Sequence, residues 1–112
     1  MSRDYRIYLE DILQAAGKIR RYAGRKSRTA LFRDEKTIDA ILRNLEVIGE
    51  AAKNVPASVR NAHTGIPWKR MAGLRDILIH AYFSVSADIV WDVVRNKLPS
   101  VERKVRSILR GK

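Results

Sequence analysis

Apolar residues recur at steps of three and four along the whole chain, and no stretch alternates β-branched with polar residues over the length of a strand. That pattern confines the fold to packed amphipathic helices. A first helix is expected from about Tyr5 to Tyr22, where Tyr5, Tyr8, Leu9, Ile12, Ala16, Ile19 and Ala23 share a face behind an Asp4 N-cap. Gly24 stops it, and a polar link runs to Thr29. Asp34 is placed to cap a second helix, in which Ile38, Ile41, Leu42, Leu45, Ile48, Ala52 and Val55 form one stripe before Pro56. Gly49 falls on that stripe. Glycine there costs ~1 kcal/mol of helix propensity relative to Ala, so the position is read as one where another helix approaches closely.

Pro56 to Ile66 is read as a loop with one short turn around Ser58–Ala62. A third helix starts near Pro67, a residue suited to a first helical position, and carries Trp68, Met71, Leu74, Leu78, Ile79, Tyr82 and Phe83. A fourth begins near Ser84 or Ser86, with Asp88 in its first turn, and is broken at Leu98-Pro99-Ser100. Val101 to Leu109 forms a fifth. Four to five antiparallel helices in 112 residues give an all-α bundle, a single domain spanning 1–112. The width of the stripes suits a homodimer that buries one more apolar face.

Composition narrows the chemistry. There is no cysteine, which removes disulfides, thiolate-ligated zinc and a cysteine nucleophile. With two histidines, no cofactor or structural metal is expected. No apolar run approaches the ~20 residues needed to span a bilayer, and no signal core follows Met1. A cytoplasmic protein with no membrane partner is expected.

The net charge is +11, from 23 Lys and Arg against 12 Asp and Glu. Two stretches concentrate it. Lys18, Arg20, Arg21, Arg25, Lys26 and Arg28 include no acid, and Arg95, Lys97, Arg103, Lys104, Arg106, Arg110 and Lys112 surround only Glu102. Such clusters neutralise phosphates without sequence preference, or simply solvate helix ends. The charge suits a polyanionic partner, whether RNA, DNA or an acidic protein surface, and Lys18, Arg21, Arg25 and Lys26 are the candidate contacts if that partner is RNA.

One constellation carries chemistry. Arg75, Asp76, His80 and Tyr82 lie inside the otherwise apolar segment Gly73–Phe83. On a helix, Asp76 and His80 stand about 40° apart, so the carboxylate can hold the imidazole. Arg75 and Tyr82 stand about 20° apart, whereas Arg75 and His80 diverge by about 140°. A bend, a helix end or a second subunit is needed for both to meet one phosphate. The fitting chemistry is phosphodiester cleavage: an arginine neutralises non-bridging oxygens, a histidine moves a proton, and the RNA 2′-hydroxyl is the nucleophile. By spacing alone a structural reading stands beside it. Arg75 would pair with Asp76 or with an acid of the second helix, and His80 would be a satisfied core histidine. Glu46 and Glu50, four apart on the second helix, are read as salt-bridged or water-facing acids, with the motif helix as the other neighbour open to Glu50.

The span from Arg75 to Tyr82 reads R-x4-H-x-Y, which resembles the signature of the HepT-like proteins of the HEPN superfamily. The resemblance extends through Asp39–Lys53, Ile66-Pro67-Trp68, Tyr82-Phe83-Ser84-Val85 and Ile89-Val90-Trp91, and so covers nearly the whole chain. It implies a HEPN-type bundle whose dimer pairs two motifs in a shared cleft. It implies a metal-independent endoribonuclease toxin with Arg75 and His80 as the catalytic pair. The implied partner is a nucleotidyltransferase antitoxin of the MNT type, which AMPylates Tyr82 and blocks the site. The family often has Asn after the motif arginine. Asp76 here can still support His80, but it adds negative charge beside RNA. The alternative is a non-catalytic helical subunit that binds a minimal nucleotidyltransferase. Trp68 and Trp91 are read as core or dimer residues rather than base-stacking platforms, and His63 as a loop residue.

Overall fold

The computed structural model describes residues 4–80 and 86–111, without the side chains of Ile77, Ile79 and His80. Among them there is no strand. The helices are α1 (Arg6–Ala23), α2 (Arg28–Arg33), α3 (Glu35–Asn54), α4 (Ala57–Ala62), α5 (Trp68–His80), α6 (Ala87–Asp92) and α7 (Leu98–Leu109). This is the all-α architecture that the apolar spacing predicts. No helix of the described residues is long and apolar enough to cross a membrane.

Local chemistry sets the boundaries. Asp34 caps α3, its carboxylate accepting from the Thr37 N–H at 3.2 Å and the Thr37 hydroxyl at 2.7 Å. These two bonds to the ionised form hold its carboxyl below the usual carboxylate range. Ser86 caps α6 through the Asp88 N–H. The core is a block of Leu, Ile, Val and Ala from α1, α3 and α7, centred on Leu9, Ile12, Ile19, Ile41, Leu45 and Val105. Each Leu or Ile so buried contributes about 1.5–3 kcal/mol of transfer free energy. α3 lies against both α1 and α5, and α7 packs along α1.

Two expectations need correction. The polar link after α1 is not all loop: Ser27 accepts from the Ala30 N–H and starts α2, whose Leu31 is fully buried. Nor do Leu98-Pro99-Ser100 break the chain. Val93–Lys97 forms a π-helical turn, and α6, this turn and α7 continue one another from 87 to 109. Pro99 falls in the first turn of α7, where its missing N–H is tolerated, and the wide turn before it makes room for the ring. Arg95 braces the join. Its guanidinium donates to the carbonyls of Gly24 and Lys26, each at 2.8 Å, and lies 4.8 Å from the Trp91 ring centre.

Candidate active site

Arg75 sits where α5 crosses α3. Gly49 makes the crossing close: a Cβ there would overlap the Cβ of Arg75 and stand 2.8 Å from the Met71 carbonyl oxygen. The close approach expected at this glycine is therefore realised, and what approaches is the motif arginine. Its side chain is 25% exposed and faces a cleft of about 250 Å³ between α1, α3 and α5.

The guanidinium lies between two carboxylates. Its Nε is 2.8 Å from Oε2 of Glu50 on α3, and one Nη donates to Oδ1 of Asp76 at 3.1 Å. The Nε–H does not point at the Glu50 oxygen, so that contact is an ion pair without a formed hydrogen bond, and the buried Nε is left without a hydrogen-bond partner. Both carboxylates are about half exposed, at 52% and 53%, so solvent screens the pairing and either can move away at small cost. A guanidinium so placed is oriented and can still exchange a carboxylate for a phosphate, which a guanidinium can bind with two parallel N–H donors.

Asp76 thus pairs with Arg75. Its expected support of His80 falls outside the described side chains, as does the position of the imidazole. His80 is the last residue of α5, five residues beyond Arg75. Whether a bend, a helix end or a second subunit brings the two side chains together lies outside the described residues. Tyr82 lies outside the described residues. Of the two neighbours open to Glu50, water and the motif helix, it meets the motif helix; helix periodicity on α3 does not say which.

The candidate RNA contacts are not gathered at this cleft. The cleft meets α1 at Tyr8 and Asp11, whereas Lys18 and Arg21 lie about 10 and 15 Å further along α1 at 1.5 Å per residue. Arg21, Arg25 and Lys26 are exposed. The C-terminal basic run is partly consumed within the fold. Buried Glu102 accepts from Arg20 at 3.3 Å and Arg106 at 3.5 Å, Lys104 donates to the Gly65 carbonyl, and Arg95 holds the turn after α1. Trp68 is buried, with its indole N–H on the His63 carbonyl, and Trp91 packs against the core under Arg95, which agrees with a packing role for both.

A family model described as ribonuclease HepT-like matches residues 12–108. The chain belongs to the ribonuclease HepT-like family. This HepT-like chain is 41% identical over 108 residues to a Methanocaldococcus jannaschii protein named as a candidate RNase, covering 96% of this chain and 89% of that one. It is 40% identical to the Thermococcus cleftensis protein named "Probable ribonuclease HepT", covering 96% and 98%. A candidate RNase of Caldanaerobacter subterraneus is also 40% identical, covering 93% of each chain. No solved structure matches the chain significantly.

Proposed function

We propose that this HepT-like chain is a metal-independent endoribonuclease, the toxin of a pair whose antitoxin is an MNT-type nucleotidyltransferase. The observation that carries the reading is Arg75: a motif guanidinium fixed at a helix crossing, open to a cleft, on the helix that also carries His80. In the reaction the RNA 2′-oxygen attacks the adjacent phosphorus and the P–O5′ bond breaks. The 2′-hydroxyl loses its proton and the departing 5′-oxygen gains one. Products are a 2′,3′-cyclic phosphate and a 5′-hydroxyl. Arg75 neutralises the non-bridging oxygens as charge builds there, and His80 carries a proton to or from an oxygen. The whole chain acts as one domain in the cytoplasm. A homodimer brings a second motif to the cleft, and AMP on Tyr82 fills the groove that RNA would enter.

The test is RNA cleavage by purified protein in EDTA, with the product ends identified. Cyclic phosphate ends are expected, together with a cut rate that collapses in His80→Ala. Parental cleavage by His80→Ala would remove His80 from the chemistry. Mass spectrometry after co-expression with the nucleotidyltransferase checks the regulation: added AMP masses should vanish in Tyr82→Phe.

A second reading has its own support. Glu50 and Asp76 together neutralise Arg75, as in a structural ion-pair network, so the chain would serve as a non-catalytic partner of the nucleotidyltransferase. A tight complex without cleavage under any condition would favour it.

A further inference from the structure

The cleft beside Arg75 is poorly charged for RNA. Asp11, Glu46 and Glu50 line it against Arg43 and Arg75, Arg43 is paired with Glu46 at 3.5 Å, and Asp76 stands beside Arg75. Such a cleft offers a polyanion one guanidinium and no attractive field. The affinity for a phosphate backbone has to come from another surface.

The larger concavity where α4 gives way to α5, about 580 Å³, has the opposite balance. Arg60, Lys69 and Arg70 surround it with the polar side chains of Asn61 and Thr64, over a floor that includes buried Trp68. Among the described residues no carboxylate lines it. Several cations elsewhere are engaged: Arg20 and Arg106 on Glu102, Arg28 on Asp88, Arg95 and Lys104 on carbonyls. Exposed Lys69 and Arg70 have neither an ion pair nor a hydrogen bond among the described residues, and Arg60 spends only its Nε, on the Val55 carbonyl at 3.0 Å. Three like charges around one hollow repel one another, and a bound anion relieves that repulsion.

We propose that this basin is an anchoring subsite for the phosphodiester backbone of single-stranded RNA. The inference rests on the ribonuclease reading and adds residues outside the α1 cluster. Arg70 precedes Arg75 on the same helix by five residues, about 7.5 Å along the axis and about 140° around it. The two side chains therefore leave α5 on different faces, so a strand anchored at Arg70 reaches Arg75 by passing around the helix over several nucleotides, while α5 fixes the spacing of the two contacts.

The experiment uses the full chain and a fluorescent single-stranded RNA with 2′-O-methyl riboses, which lacks the nucleophile and stays intact. Anisotropy titrations across a salt series compare the parent with the double variant Lys69→Gln, Arg70→Gln. Both positions are exposed, and circular dichroism confirms the fold. Expected are several-fold weaker binding at low salt and a log–log salt slope shallower by about 1.4, from two lost phosphate contacts on a single strand. Parental affinity and slope in the variant would overturn the subsite while leaving the ribonuclease reading in place. Absence of RNA binding by the parent would overturn both. Polyglutamate serves as a competing probe. If the substitutions weaken its binding and leave RNA binding intact, the basin docks an acidic protein and the proposal fails.

Discussion

Gly49 and Arg75 meet with no room for a single added carbon: a Cβ on the glycine would overlap the Cβ of the arginine. The arginine is thereby seated by backbone contact, before any of its own polar interactions act.

Gly49→Ala should therefore be destabilising even though alanine is the better helix former. The neighbour it meets is backbone and Cβ, which cannot swing aside, so α5 must shift. Overpacking of this kind costs about 1–3 kcal/mol. A melt followed by circular dichroism should show a midpoint lower by several degrees. An unchanged midpoint would mean that the helices cross further apart.

Arg75→Lys keeps the charge and discards the fork. Lysine cannot meet Glu50 and a phosphate with one planar group. Cleavage should fall by about 100-fold with a melting temperature near the parent's, as for loss of one preorganised oxyanion donor. Single-turnover cleavage of a defined RNA measures this, and parental turnover by the lysine variant would reduce the role of Arg75 to plain charge.

Arg95→Ala should loosen the turn after α1, because the carbonyls of Gly24 and Lys26 lose their donors and Trp91 loses its cation. The expected cost is about 1 kcal/mol in urea unfolding, with faster amide exchange around Lys26. Arg95→Lys should recover little of it, since one ammonium does not reproduce two divergent N–H donors.

Acid should weaken the start of α3. The folded-state pKa of Asp34 is lowered by its bonds to Thr37, so its stabilising effect is complete above the ordinary carboxylate pKa of about 4 and is lost as pH falls through the lowered value. Thermal midpoints from pH 5 to pH 2 should drop less steeply in Asp34→Asn, which keeps a cap but cannot titrate. Equal slopes would show that the acid transition is set by other carboxylates.

Much of this was readable along the chain because it is local. The Asp34 cap, the Ser86 cap and the start after Pro67 are decided by neighbours a few residues away. Gly49 was legible as a contact point, although not as a contact with Arg75. What escaped is what depends on distant residues. Periodicity on α3 cannot reveal that Glu50 reaches Arg75, and the sequence around Leu98-Pro99 resembles a break unless the wide turn before it is known. The C-terminal cations looked like a free electrostatic surface because Glu102, their acidic neighbour in sequence, also recruits Arg20 from 82 residues away.

The π-helical turn at Val93–Lys97 also bears on chain length. A turn this wide holds one residue more than an α-helical path would use, with the helix on either side left in register. Deleting one residue inside it should let α6 and α7 fuse into an ordinary helix, with Val90 and Val105 still facing the core. The same deletion a turn later, inside α7, would rotate every following side chain by about 100°. Within this rod, gaps between relatives should therefore cluster at the turn that Arg95 braces.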